Sequence, residues 1–242
     1  MKTVNVQPEL SIVMPCLNEE QTLGTCIGKA RAFLQRTGIR GEIIVADNGS
    51  TDASVEIARK EADRVVHVKN KGYGYALDGG ILAARGQYVV MGDADNSYDF
   101  SSLDEFIRLL REGSDIVIGN RFVGGIRKKA MPWLHRYVGN PLLSGTGRLL
   151  FHNRIGDYHC GLRGFSKAAY LHIRPVCGGM EYASEMIIKA VLKHLHVAET
   201  AVVLYPDGRN RPPHLRTWSD GLRHLKLMLQ LYLQQYRKST KK

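Results

Sequence analysis

Two carboxylates stand one residue apart where an apolar run ends, in Val89-Val90-Met91-Gly92-Asp93-Ala94-Asp95. A buried strand that finishes in paired acids needs a positive charge beside them, because carboxylates at close range repel one another. Side chains alternate along an extended backbone, so Asp93 and Asp95 can face one hard divalent cation from a strand end or turn. Mg²⁺ and Mn²⁺ prefer oxygen ligands and often take one or two carboxylates plus substrate phosphates. Asp93 and Asp95 are therefore candidate ligands for Mg²⁺ or Mn²⁺ against a diphosphate. A turn merely rich in Asp is the plainer alternative.

Other chemistry-bearing residues follow apolar runs too. Pro15-Cys16-Leu17-Asn18-Glu19 closes the first run, Asp47-Asn48-Gly49-Ser50-Thr51-Asp52 the second, and Gly119-Asn120-Arg121 a later one. Pro15 and Asn18 shape the first loop. Glu19 can accept from ribose hydroxyls or a base N–H, or stabilise a helix N-terminus. Asp52 reads as an N-cap. Lys71-Gly72-Tyr73-Gly74 precedes a helical stretch, where glycines let backbone approach a nucleotide and Lys71 can reach a phosphate. The dinucleotide spacing of three glycines is absent.

Arg121 presents a guanidinium fork that matches phosphate oxygens, with Arg127, Lys128, Lys129, His135 and Arg136 nearby. Asp157 and Arg163 flank a Gly-containing turn, either as an ion pair or as part of a binding pocket. Glu181 and Glu185 stand four apart on one helix face. Arg209, Arg211, His214 and Arg216 form a loop that can close over a diphosphate, or is simply basic surface.

The chain has 242 residues, 44% of them hydrophobic, and a formal net charge of +11. It is long enough to bury a full α/β core. Its positive surface favours phosphates, nucleic acid or anionic lipid. It carries no Lys/Arg block and no zinc-finger spacing, so nucleic acid is not the expected partner. Cys16, Cys26, Cys160 and Cys177 are scattered without a Cys-x-x-Cys pair, which suits reduced thiols in the cytoplasm. No signal-peptide pattern is visible, and no run approaches the roughly 18 apolar residues of a membrane span.

Apolar runs place strands at 10–15, 42–46, 64–68, 87–91, 115–119 and 197–205. Helical periodicity covers 19–35, 54–61, 72–84, 103–111, 183–194 and 217–236. Strands alternating with helices predict an α/β fold, a mostly parallel sheet with helices on both faces and the loops after each strand on one edge. Residues 1–216 are read as one catalytic domain and 217–242 as a basic amphipathic C-terminal helix. Its Leu222, Leu225, Leu229, Tyr232 and Tyr236 step by three and four, with Arg223, Lys226, Arg237, Lys238, Lys241 and Lys242 among them. Such a helix lies on an anionic membrane surface or packs on the core or a second subunit.

The order Pro-x-x-Asn-Glu, Asp-x-Gly-Ser-Thr-Asp, Asp-Ala-Asp resembles the family 2 glycosyltransferases of GT-A (Rossmann-like) fold. Gly119-Asn120-Arg121, Gly156-Asp157 with Gly161-Leu162-Arg163-Gly164-Phe165, and Glu181-x-x-x-Glu185 resemble the polyprenyl- and dolichyl-phosphate mannose and glucose synthases among them. The resemblance covers roughly residues 10–225. It implies a nucleoside-diphosphate sugar donor bound by Pro15, Asn18, Glu19, Asp47, Lys71, Asp93, Glu181, Glu185, Arg209 and Arg211. It also implies a metal on Asp93 and Asp95, and chemistry carried by Asp95, Arg121, Asp157 and Arg163. Family members often have a second Asp where this chain has Asn48, so Asp47 alone is carried over as the base acceptor.

The expected reaction is a single inverting displacement, moving a hexose from GDP-mannose or UDP-glucose to a polyprenyl phosphate. An alcohol acceptor needs a general base, whereas a phosphate monoester with a second pKa of roughly 6 is already mostly dianionic. The expected location is cytoplasmic, peripheral on the cytoplasmic membrane face. Transfer to a soluble or protein acceptor, with Asp157, Glu181 or Glu185 as base, is the alternative on the same fold. A non-catalytic nucleotide-sugar-binding protein is the alternative in another class.

Overall fold

A computed structural model describes residues 7–209 and 217–239. Strands and helices alternate through β1 (Leu10–Cys16), α1 (Leu23–Thr37), β2 (Gly41–Asp47), α2 (Ser54–Glu61), β3 (Arg64–His67), α3 (Tyr73–Ala83), β4 (Tyr88–Met91), α4 (Asp104–Arg111) and β5 (Ile116–Asn120). They continue through a short α5 (Arg121–Gly124), α6 (Asn140–Phe151), β6 (Arg163–Ser166), α7 (Lys167–Ile173), α8 (Tyr182–Leu192), β7 (Val197–Ala201) and α9 (Thr217–Ser239). A π-helical turn over His135–Gly139 leads into α6.

The strands form one sheet in the order β3-β2-β1-β4-β6-β5-β7. β1 runs parallel to β2 and β4, β2 to β3, and β5 to β7. Only β6, between β4 and β5, is antiparallel to its neighbours. Helices cover both faces, as the alternation predicts. Every residue of β1 is buried, and so is β2 after its first residue. Continuous apolar runs rather than alternating ones are what a parallel sheet covered on both faces requires. α3 lies close on β1 and β2 because Gly80 has no side chain: a Cβ there would come within 2.6 Å of Val13 and 2.9 Å of Ala46.

Three expectations shift. β6 was not anticipated as a strand, since Arg163-Gly164-Phe165-Ser166 carries no strand periodicity and is made by its neighbours' pairing. The first helix begins at Leu23 rather than Glu19, because the Glu19 carbonyl closes a turn onto the N–H groups of Thr22 and Leu23. β7 stops at Ala201, and the chain touches the sheet again only at the Ile126–Leu204 bridge.

The C-terminal helix is docked on α6 and α8. Asp220, His224 and Met228, spaced by four, are buried on its inner face. His224 Nδ1 lies 2.7 Å from the Ser184 hydroxyl, and its ring meets His159 edge-on at 4.6 Å. Tyr232 of the apolar stripe meets Phe151 edge-on, and Leu233 faces outward. The boundary expected at 216/217 adjoins residues outside the described ones.

These histidines make stability depend on acid. Burial pushes His224 down to about 4 against the pull of Asp220, with Arg163 adding to the fall. Burial likewise holds His159 well below its usual value, helped by the charges of His224, Arg121 and Arg163. A histidine buried neutral contributes stability that is fully present above its unfolded pKa of 6.5 and is lost as pH falls toward the folded value. Unfolding free energy is therefore expected to drop between pH 6.5 and 4, with His224 accounting for about 3 kcal/mol. Denaturant titrations across that range should show the drop flattened in His224→Gln. An unchanged slope would deny His224 this role.

Candidate active site

The segments that follow β1, β2 and β4 are tied together at one edge of the sheet, where α/β sheets bind ligands. The Asn18 N–H donates to the Ser50 hydroxyl at 2.9 Å and Asn18 Oδ1 accepts from the Thr51 N–H at 2.7 Å. The Glu19 N–H donates to Ser54 Oγ at 2.7 Å, and the Thr22 hydroxyl to the Ala94 carbonyl at 2.7 Å. Asn18 holds φ at +59°, a left-handed conformation that Asn tolerates better than most residues. Pro15 is buried within β1 opposite Ala46, so it acts through the shape of the strand end. Asp52 accepts from the N–H groups of Ser54 and Glu20, bracing the start of α2 against the first loop.

Asp47 closes its own turn. Its carboxylate accepts from the N–H groups of Gly49 (3.1 Å) and Ser50 (3.0 Å), and His67 Nδ1 lies 3.2 Å away. Burial raises its pKa, but hydrogen bonds from Ser50, His67 and Gly49 more than reverse this and leave it below the usual carboxylate range. Asn48 explains its own departure from the acidic pattern. Its amide donates to the carbonyls of Val68 (3.1 Å) and Asn70 (2.7 Å), while its Oδ1 accepts from the Gly72 N–H (2.7 Å). A carboxylate has no proton for the first two bonds. The pinned loop carries Lys71, whose Nζ donates back to the Asn48 carbonyl at 2.6 Å and lies over Gly49.

The paired acids sit beyond β4 as expected. Asp93 Oδ1 accepts from the Tyr73 hydroxyl at 2.9 Å, and its other oxygen lies so close to Gly161 that a Cβ there would approach to 2.3 Å. Burial raises the Asp93 pKa to about 6, the Asp95 charge adds to the rise, and Tyr73 and Arg209 oppose it. Asp95 accepts from both the N–H and the hydroxyl of Ser97 and lies 3.0 Å from Arg209 Nη2. Arg209 also reaches Glu19 at 3.3 Å and Asp207 at 2.9 Å.

Among the described residues no group of three or more His, Cys, Asp or Glu side chains could hold a metal unaided. Two oxygen-bearing acids that already attract a cationic side chain fit Mg²⁺ or Mn²⁺ completed by ligand phosphates and water.

Arg121 and Asp157 form a bidentate buried pair: Nε lies 2.7 Å and Nη2 2.8 Å from the carboxylate, which also accepts from the Arg121 N–H at 3.1 Å. Only Nη1 of the fork is not committed to Asp157. The Arg121 charge and burial hold His135 below its usual pKa, which places that histidine in the same field. Glu199 of β7 accepts from the N–H groups of Gly156 and Asp157 and from the Asn120 amide, fixing the turn behind the pair.

Two expected contacts are corrected. Arg163 is 0% exposed and, among the described residues, donates to the carbonyls of Cys160, Tyr158 and Ala183 rather than to an acid. Glu185 is 1% exposed and turns inward, accepting from the N–H groups of Val176 and Cys177 and pairing with Lys189. Both tie a neighbouring turn to α8. Glu181 opens α8, with a buried Oε2 that has no partner among the described residues. Its neighbouring loop packs on the start of α3 through the bond from the Gly74 N–H to the Gly178 carbonyl. Arg211, His214 and Arg216 lie outside the described residues. The sequence reading missed Tyr73, Asp207 and Glu199. Only Tyr73 carried a signal, within the Lys-Gly-Tyr-Gly motif.

Residues 11–174 match the family described as Glycosyl transferase family 2. The low-salt glycan biosynthesis hexosyltransferase Agl6 of Haloferax volcanii is 40% identical over 226 residues, covering 93% of this chain. This chain spans 54% of that relative's length. The dolichyl-phosphate hexose transferase of the same organism is 30% identical over 194 residues, covering 80% of this chain and 82% of the relative. Among solved structures, glucosyl-3-phosphoglycerate synthase of Mycobacterium tuberculosis with Mn²⁺, UDP-glucose and phosphoglyceric acid superposes with a TM-score of 0.73 at 23% identity, covering 93% of this chain and 79% of that one.

The Asn48 bridge is open to direct test. Asn48→Asp removes two donors and sets a charge against two carbonyls, and is expected to lower unfolding free energy by about 2 kcal/mol. Denaturant unfolding at neutral pH measures it. An equally stable variant would mean that the loop is held by other contacts.

Proposed function

The chain belongs to glycosyl transferase family 2, and from that premise we propose that it moves a hexose from a nucleoside-diphosphate sugar to a polyprenyl phosphate. The relatives' names support a hexose and a dolichyl-phosphate type of acceptor. GDP-mannose and UDP-glucose are the donors to try first. One observation carries the acceptor class. Of the three carboxylates an alcohol acceptor could use as base, Asp157 is bound by Arg121 and Glu185 by a loop and Lys189. Glu181 alone remains. A phosphate acceptor needs no base, because its oxygen is already anionic.

Each residue then has a task. Asn18, Glu19 and Asp47 line the strand ends where the nucleoside would lie. A divalent cation on Asp93 and Asp95 would supply Lewis-acid charge to the departing nucleoside diphosphate. Lys71 and Arg209 offer further positive charge to the diphosphate. Arg121, held rigid by Asp157, directs Nη1 at the acceptor phosphate, so that its oxygen can attack the anomeric carbon in line and with inversion. Glu181, at the head of α8, is the candidate for sugar hydroxyls.

Purified protein offered GDP- and UDP-sugars with Mg²⁺ or Mn²⁺ is expected to release nucleoside diphosphate only when a short-chain polyprenyl phosphate is present. Asp95→Asn should lower that release at least about 100-fold, the scale of losing one transition-state electrostatic contact. Donor hydrolysis that ignores the lipid phosphate would overturn the acceptor assignment.

The acceptor's tail calls for a lipid surface. α9 exposes Leu222, Leu225, Leu229, Leu233 and Tyr236, and the preceding region exposes Trp133, Tyr137, Leu142 and Leu149. Arg136 stacks over Tyr137 at 5.3 Å, and Arg223 and Lys226 adjoin the leucines. No helix of the described residues is long and apolar enough to cross a membrane. The apolar stripe flanked by basic side chains suits peripheral binding to anionic lipid. The protein is expected to sediment with phosphatidylglycerol vesicles but not phosphatidylcholine ones, and Leu225→Glu/Leu229→Glu to stay in the supernatant. Loss of a dimer in that variant, with vesicle binding intact, would assign the stripe to a second copy instead.

A further inference from the structure

Both oxygens of Asp95 are engaged by the chain itself. Oδ1 accepts from the Ser97 N–H at 3.0 Å and the Ser97 hydroxyl at 2.5 Å, and Oδ2 faces Arg209 Nη2 at 3.0 Å. The same guanidinium gathers Glu19 at 3.3 Å and Asp207 at 2.9 Å, so three carboxylates converge on one arginine. The segment that carries it is strapped to the turn that carries Asp95: the Tyr205 N–H donates to the Ser97 carbonyl at 3.0 Å and the Gly208 N–H to the Asp95 carbonyl at 2.9 Å. Arg209 Nε is buried and has no partner among the described residues. A buried donor left unmet is uncommon and costs stability. It marks a place where one more anionic oxygen would fit.

We propose that Arg209 is a resting counter-charge that competes with the divalent cation for Asp95 Oδ2, so that the cation binds tightly only when a nucleoside diphosphate gives the guanidinium another anion. This rests on the reading of Asp93 and Asp95 as the metal ligands. Mg²⁺ bonds an oxygen ligand at roughly 2.0–2.1 Å. With the guanidinium still 3.0 Å from that oxygen, two cations would share one acceptor at close range and repel. A diphosphate removes the conflict. Its oxygens match the fork, including the unmet Nε, and complete the metal's shell at the same time. Metal and donor therefore help each other bind, and the coupling is reciprocal.

The test is Mn²⁺ binding followed by the electron paramagnetic resonance signal of free Mn²⁺, with and without UDP or GDP and with no turnover. Without nucleotide, Arg209→Gln is expected to bind Mn²⁺ at least about fivefold more tightly than the wild type, and Arg209→Lys to stay near it. Nucleotide should tighten Mn²⁺ about tenfold or more in the wild type and clearly less in Arg209→Gln. Far-UV circular dichroism and thermal melts establish that each variant is folded. If Asp95→Asn abolishes Mn²⁺ binding while Arg209→Gln binds no more tightly than wild type, the competition is refuted and the metal site stands. If Asp95→Asn binds Mn²⁺ as the wild type does, the metal reading itself fails.

Discussion

Negative charge gathered at the carboxyl end of a sheet is the constraint from which the rest of this structure follows. Parallel strands point their C-terminal ends one way, and Asp47, Asp93 and the nearby Glu19 and Asp95 are delivered there by β1, β2 and β4. Each acid is answered differently. Asp47 is satisfied by two backbone N–H groups and His67, which keep it ionised. Asp93 has a single hydroxyl, from Tyr73, and burial with the neighbouring Asp95 pushes its pKa up to about 6. Asp95 has Ser97 and a guanidinium. An acid with a raised pKa thus lies beside one that pairs with a cationic side chain.

The pair of Arg121 and Asp157 answers the opposite problem, that of holding a buried arginine. The Arg121–Asp157 pair is bidentate, and a pair this buried is strongly disrupted if one partner is removed. Asp157 is in turn fixed through its backbone by Glu199, which also holds the Asn120 amide, while Asn120 caps the short helix that begins with Arg121. Two layers of carboxylates therefore hold one guanidinium in place. Beneath them Arg163 ties the 158–160 turn to α8 through three carbonyls. Its charge contributes to the field on His159 and His224, which in turn lock α9 to the domain.

The features most legible in the sequence were those set by local pattern. The apolar runs of β1, β2 and β4 located the parallel sheet, and Asp93-Ala94-Asp95 marked the strand end where acids gather. What stayed hidden depended on partners far apart in the chain. Residue type cannot say whether an arginine faces solvent or carbonyls, so Arg163, expected in an ion pair or a pocket wall, is instead a buried brace. Glu185 failed for the same reason, since a helix face can be inferred from spacing but not whether it turns inward. β6 has four residues and no periodicity, and exists because β4 and β5 offer it two edges. On α9, Tyr232 and Leu233 are adjacent, and only the position of Phe151 decides which faces inward.

The charge of the whole chain and the charge of its site have opposite signs, and the difference has a mechanical meaning. A formal charge of +11 draws polyanions toward the protein from a distance. At the sheet edge those polyanions meet Glu19, Asp47, Asp93 and Asp95, which repel them at contact. Entry therefore requires cations at the point of contact, and their number and placement decide which anion is held. In the proposed reaction the donor diphosphate would draw on Lys71, Arg209 and the metal, and the acceptor phosphate on Arg121, so each anion would answer to its own cations.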